Sequence, residues 1–551
     1  MDQNIYLIIA IILGIVVVAY AFYLFFKGNK LTTNSEKTKS LTEDTTSKTA
    51  AFFSYEYLIL AIFVIVIFLT LMFVTKLTIA ISFVFGALLI TFLDYCHKSL
   101  FNYDNQSKSI ALSSKTIINI LIMGLGLFGI AVTFLIFNDI TILVGFIFGV
   151  SLIALLLHIS DRVYNKLSAD IQTNLPLNYA IVFETAIVLL GVAIIFGANV
   201  NFNQYTNMMA SGGIVFPIVF VAICLIANIV GILFLHSKKD NLTNKLLLTT
   251  TALTTLFIVI ITAVFSYLFF KSFNPLWAII VGIVFGFLIG KLSELYLNHQ
   301  NKDTNNYSLT NGLASSMISI VIPIILIAIA IILAYIFSEM YGIILSALAM
   351  FFIASIMVSA INNYHENLPE KPIDQEKLTI NENINKGFTI GSTVLVIIAL
   401  FLSFAIVTNI STSNISFMDP SLLVGLLLGA MLPFIFVSWG LKDIKQEDDI
   451  LKVSQFNNTI MVGVLVVILP TLIGFVIGRS GLVGLLVGVL SVGIIMITFM
   501  INSTSALQKT TINNEVNNAA TIVVPIVSIL VKLLIVGSII FAATIGTGLF
   551  K

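Results

Sequence analysis

Apolar runs of membrane-spanning length alternate with short polar connections along this chain. Sixteen such runs begin near Ile5, Tyr57, Leu77, Thr116, Ile140, Tyr179, Met208, Leu246, Leu276, Ala314, Tyr341, Gly387, Ser421, Thr459, Gly481 and Ile522. About 20 apolar residues cross a hydrocarbon core as a helix, and only helices and closed barrels satisfy every backbone group in lipid. These runs are too long and too uniformly apolar for alternating barrel strands, so the pattern predicts an all-α integral membrane protein of about sixteen transmembrane helices. Residues 28–54, 298–313 and 362–385 are the least hydrophobic and are expected to be cytoplasmic loops. The first is rich in Thr, Ser and Lys and joins the first two spans. No long soluble segment intervenes, so residues 1–551 read as one integral domain.

Charge placement tests the count of spans independently. Of the 27 lysines and arginines, 22 fall in odd-numbered connections, Lys76, Lys271, Arg479 and Lys551 fall on the other side, and Lys532 lies within the last span. That asymmetry predicts cytoplasmic odd connections and both termini outside. A net charge of +1 gives no reason to expect a nucleic-acid partner. Cys96 and Cys224 are isolated, which implies neither a disulfide framework nor a metal site. The glycines of 124–126, 282–290 and 484–488 suit close helix packing. Glu447 opens an acidic run in the thirteenth connection, which reads as a solvated charge cluster before it reads as a cation site.

Lys532 is the residue composition leaves unexplained, because Ile529, Leu530, Val531, Leu533, Leu534 and Ile535 surround it. A lysine near the bilayer centre costs about 2.5–3.5 kcal/mol on insertion scales and normally faces a partner or a polar path.

Several stretches resemble the membrane-integral pyrophosphatases, a family of ion-translocating enzymes. The likeness runs through Phe148-Gly149-Val150-Ser151-Leu152, then Tyr164-Asn165-Lys166. It continues in Asn385-Lys386-Gly387-Phe388-Thr389, in Gly429-Ala430-Met431-Leu432-Pro433, and from Pro525 to Lys532-Leu533. The resemblance implies sixteen helices in two concentric rings with six on the inside, a homodimer, and a cytoplasmic site where carboxylates hold Mg ions around pyrophosphate.

The same resemblance shows which groups are missing. Where the family pattern has aspartates after the fifth span, this chain has Ala169 and Thr173, and Asp170 is one position off, about 100° around a helix. Ile361 takes the aspartate position of the eleventh span, and Gln508 and Thr511 replace the Asp and Lys of a motif in the fifteenth. In the sixteenth, Asn513 and Asn517 stand for two aspartates, Ala520 for a lysine and Thr521 for a final aspartate. Asparagine nearly matches aspartate in shape but carries no charge, so several Mg ions would lack neutralisation. The chain is therefore expected not to hydrolyse pyrophosphate and to need no cofactor, Mg entering only if the pyrophosphatase reading holds.

Deeper in the membrane, the resemblance aligns Glu184 and Lys532 with a gate glutamate and gate lysine, and His158 with a gate arginine. Ile181 replaces the gate aspartate. Two readings stay open: a structural or partner-binding membrane subunit in which Glu184 and Lys532 neutralise each other, and an ion transporter or channel that still uses this gate. The first is favoured, and a pump with a rebuilt site is third. The expected setting is the plasma membrane of a prokaryote, with the bilayer, a second copy and an unidentified membrane protein as partners.

Overall fold

The computed structural model describes residues 39–74, 76–101, 140–167, 179–199, 212–237, 244–302, 309–366, 391–399, 411–412, 415–416, 419–442, 444–447 and 450–453, with isolated positions between 12 and 492. The helices are α1 (Lys39–Val74), α2 (Leu77–Phe101), α3 (Ile140–Leu167), α4 (Tyr179–Asn199), α5 (Gly212–Ser237), α6 (Asn244–Phe270), α7 (Asn274–Lys302), α8 (Leu309–Glu366) and α9 (Pro420–Lys442). Two short antiparallel pairs accompany them: β1 (Ser411–Thr412) with β2 (Ile415–Ser416), and β3 (Ile444–Glu447) with β4 (Ile450–Val453). Six helices among the described residues are long and apolar enough to cross a membrane.

Helix α8 holds two of the expected spans, those beginning near Ala314 and Tyr341. Its helical geometry breaks at Ser338 (φ −146°, ψ 29°) and Glu339 (φ 49°, ψ −138°). After the break, Ser346 lies beside Gly282 and Met350 beside Gly286, so the second half of α8 runs parallel to α7. Other boundaries also moved. Helix α1 starts at Lys39, well inside the polar stretch expected as a loop, because an anchored helix propagates into polar sequence at little cost once nucleated. Glu447, the first residue of the acidic run, ends β3 and pairs with Ile450.

The described residues fall into two compact units. One holds the residues up to Leu276 and from Ser355 to Glu366; the other holds those from Trp277 to Ala354 and beyond position 373. In the first, successive helices pack in series, α1 on α2, α2 on α3, α3 on α4, α4 on α5 and α5 on α6. The α2–α3 crossing is built on small residues. Gly145 and Gly149 press against the backbone carbonyls of Ile79 and Phe83, and Gly86 against that of Phe146. A side chain at any of these points would force the backbones apart, the logic of a small-xxx-small crossing. Phe83 and Phe148 fill the flank, with ring centroids 5.4 Å apart.

The second unit uses the same device on α9. Gly425 and Gly429 meet the carbonyls of Gly481 and Leu485, and Gly484 and Gly488 meet those of Leu422 and Leu426. The glycine runs of 282–290 and 484–488 are thus packing surfaces, as their spacing suggests. Gly429→Leu should lower unfolding stability by about 1–3 kcal/mol, the usual cost of overpacking. Chemical unfolding in detergent would measure it, and an unchanged midpoint would contradict this crossing.

Helix α9 begins at a cap, Asp419, followed by Pro420 and Ser421. The Asp419 carboxylate accepts hydrogen bonds from the Ser421 amide at 2.9 Å and the Ser421 hydroxyl at 2.7 Å. Burial pushes its pKa up, but hydrogen bonds from Ser421 and from the Ser480 side chain outweigh that and hold it below the usual carboxylate value. A depressed pKa means the ionised cap stabilises the fold above the unfolded pKa of about 3.9 and loses that contribution as pH falls through the folded value. Asp419→Ala should cost about 1 kcal/mol at neutral pH. The difference from wild type should shrink in unfolding curves taken below about pH 4.

Burial separates two kinds of helix. Helices α4 and α5 and the stretch after Tyr341 in α8 are buried nearly all round. By contrast, α1, α6, α7 and the first half of α8 each expose an apolar stripe, such as Ile325, Ile329, Ile332 and Ile336 on α8. In water such stripes would be liabilities, whereas a bilayer covers them.

Candidate functional site

Glu184 sits one turn into α4, on a helix that is otherwise almost wholly apolar. It is 0% exposed, and so is Thr185 beside it. Aliphatic neighbours on the same helix, Ile187, Val188 and Leu189, are buried as well. An ionised carboxylate in such surroundings carries a large desolvation cost unless paired.

Helix α3 forms one wall around this residue. Gly191 of α4 packs against the Ile147 side chain, and the short connection between the two helices makes them antiparallel neighbours. Moving back along α4 from Gly191 to Glu184 is therefore matched by moving forward along α3 from Ile147 to Ala154. Ser151 and His158 lie about one helical turn to either side of that level. Ser151 is buried, and its hydroxyl has no hydrogen-bond partner among the described residues. A hydroxyl left so in a packed interior marks a place where a polar atom could be accommodated.

The structure therefore puts Glu184 in the buried interior of the helix packing and His158 on the facing helix, at backbone level only for His158 because its side chain lies outside the described residues. Lys532 also lies outside them, as do Ala169, Thr173, Gln508, Thr511, Asn513, Asn517, Ala520 and Thr521. Ile361 is a helical residue near the end of α8. Its aliphatic side chain supplies no ligand atom.

Magnesium takes octahedral oxygen coordination, chiefly from carboxylates, water and substrate phosphates. Among the described residues, no group of three or more His, Cys, Asp or Glu side chains converges. The positions that the resemblance assigns to the family site carry methyl, hydroxyl, aliphatic and amide groups, a donor set unlike the carboxylates that hold several magnesium ions.

Sequence reading passed over one buried polar contact. Asp94 on α2 and Glu56 on α1 are both buried, and the Tyr57 hydroxyl donates to Asp94 Oδ2 at 3.0 Å. The Tyr57 ring also meets Tyr95 edge-on, with centroids 6.0 Å apart. Asp94 stands near the end of α2 and Glu56 near the start of the apolar part of α1, where sequence alone suggests solvation, and no spacing rule links them. The contact ties α1 to α2.

The sequence model of the family described as "Inorganic H+ pyrophosphatase" matches residues 15–176, 178–365 and 379–453, most of the chain. The chain belongs to this family. A membrane pyrophosphatase relative from Clostridium tetani, named "Putative K(+)-stimulated pyrophosphate-energized sodium pump", is 24% identical over 582 residues, covering 87% of this chain and 86% of its own. The "K(+)-insensitive pyrophosphate-energized proton pump" of Methanosarcina mazei is 21% identical over 581 residues, covering 86% of this chain and 85% of its own. A "K(+)-stimulated pyrophosphate-energized sodium pump" of Thermotoga maritima is 27% identical over 274 residues, 40% of this chain and 37% of its own. The relatives are thus pyrophosphate-energized ion pumps, and this membrane pyrophosphatase family member is an integral membrane protein with apolar spanning helices.

Proposed function

We propose that this chain is a non-hydrolytic member of the membrane pyrophosphatase family, serving as a structural or partner-binding subunit in the plasma membrane of a prokaryotic cell. The observation that carries this reading is the set of residues at the family's ligand positions. Ala169, Thr173, Ile361, Gln508, Asn513, Asn517 and Thr521 stand where carboxylates would hold Mg, and Thr511 and Ala520 stand where lysines would clamp phosphate. A highly charged substrate bound through several metal ions needs that negative charge, and neutral groups of similar shape do not supply it.

The architecture that goes with this reading is sixteen helices in two concentric rings, both termini outside, and a homodimer. Within the first unit, α4 and α5 are buried nearly all round while α1 and α6 expose apolar stripes, a contrast in keeping with inner and outer helices.

One observation favours a second reading, an ion transporter or channel. Glu184 remains at a buried level of α4 beside Thr185, with the Ser151 hydroxyl about a turn away on the facing helix. The two readings part in sealed vesicles. Proton or sodium flux that disappears in Glu184→Gln would establish the transporter, and flux equal to protein-free vesicles supports the subunit. A third outcome, phosphate release from pyrophosphate that falls in Asn517→Ala, would establish a pump with a rebuilt site.

A further inference from the structure

The turn joining α6 to α7 places a lysine where the backbone favours glycine. Lys271 has φ 52°, in the left-handed region, and its amide donates to the Tyr267 carbonyl at 3.0 Å, closing the C-terminus of α6. Glycine is the common residue at such a position because it has no Cβ to strain. A non-glycine residue held there at a cost is a reason to ask what its side chain does.

Its surroundings are well defined. The Lys271 ammonium stands 5.2 Å from the centroid of the Tyr267 ring, within cation–π range. Tyr267 in turn stacks on Phe273, with centroids 5.7 Å apart and planes 24° apart. Both rings are about half exposed, Tyr267 at 51% and Phe273 at 48%, and Lys271 is exposed too. The turn beneath is braced: the Ser266 hydroxyl donates to the Ser272 carbonyl at 2.9 Å, and the Ser272 hydroxyl accepts from the Asn274 amide at 3.2 Å.

The charge has no acid to answer it along its own helices. No Asp or Glu occurs in α5 or α6, and the first in α7 is Glu294, far along that helix. Lys271 also lies at the end of α6 opposite Lys245, about 40 Å away at 1.5 Å per residue, so it stands apart from the lysine-rich connections. Below it, α6 exposes a continuous apolar stripe through Leu253, Leu256, Ile260, Val264 and Leu268. A cation and an aromatic pair above an acyl-chain-sized apolar stripe complement one kind of molecule: an anionic lipid with its phosphate at the interface and its tails along the helix.

We propose that the α6–α7 turn binds the phosphate of an anionic phospholipid headgroup, with Lys271 as the cation and Tyr267 and Phe273 as its aromatic platform. The site is independent of whether the chain hydrolyses pyrophosphate. Full-length protein in mixed micelles of phosphatidylglycerol and phosphatidylcholine, examined by native mass spectrometry, tests it. Lys271→Gln should reduce retained phosphatidylglycerol relative to phosphatidylcholine about fivefold at this site, the factor that about 1 kcal/mol for an exposed ion pair corresponds to. Lys271→Arg should retain the lipid. Lys271→Gly should lose it while unfolding at the same temperature as wild type or higher, since glycine relieves the backbone, and this separates lost binding from lost folding. The proposal is overturned if Lys271→Gln leaves the ratio unchanged, or if Lys76→Gln, at another turn lysine, lowers it equally.

Discussion

Purified protein supplied with pyrophosphate and magnesium is expected to release no phosphate above a protein-free control. Enzymes of ordinary efficiency turn over on the order of 10 times per second, so a rate below about a hundredth of that in a sensitive phosphate assay would meet the expectation. The reason is electrostatic. Pyrophosphate chemistry of this type depends on metal ions that bridge and neutralise the phosphate oxygens, and those ions need anionic ligands to stay in place. Asn513 and Asn517 keep the outline of aspartate without its charge, while Ala169 and Thr521 keep neither outline nor charge. Asn517→Asp alone should therefore not restore activity, because one carboxylate cannot neutralise several ions. Asn517→Ala should make no difference to a rate that is already at background. A pyrophosphate-energized pump prepared in the same detergent shows that the assay detects hydrolysis. Release by this protein that is well above background and falls in Asn517→Ala would sink the non-hydrolytic reading.

How much of the fold could be read in advance depended on what the bilayer does to sequence patterns. The span positions were legible because water and lipid differ so sharply that an apolar run announces itself, as the starts of α2, α3 and α4 at Leu77, Ile140 and Tyr179 show. Which face of each helix meets protein was not legible. Lipid and protein interior are equally apolar, so Ile329, exposed on α8, and Ile344, fully buried further along it, look alike in sequence. Glycine spacing was the better guide, since Gly282 and Gly286 do mark a backbone crossing. Polar boundaries failed for a different reason: helix propagation carries α1 back to Lys39 through Thr and Ser that would not nucleate a helix alone. For the site, burial of Glu184 was expected only through the gate glutamate that the resemblance aligns with it, and the bare Ser151 hydroxyl was not expected at all, because a serine in a spanning helix usually bonds its own backbone.

Glu184 offers the second large effect. If it neutralises Lys532, then Glu184→Leu should lower unfolding stability in detergent by about 3–5 kcal/mol, since it leaves a buried lysine uncompensated. Lys532→Met should cost about as much for the mirror-image reason. The double variant is the decisive one. With both charges removed, the apolar replacements pack where ions stood, and most of the stability should return, because a buried pair is often no better than a hydrophobic pair of similar size. The two single effects would then exceed the double effect by several kcal/mol. Residues that do not interact should instead add within about 0.5 kcal/mol, and additivity would end the pairing. The same variants separate structure from transport. A pair kept only for neutralisation can be replaced without changing vesicle permeability, whereas an ion path through Glu184 would close in Glu184→Leu and stay closed in the double variant. Recovery of stability without recovery of flux would place Glu184 on a path, and recovery of stability with no flux in any form would leave it as a counter-charge to Lys532.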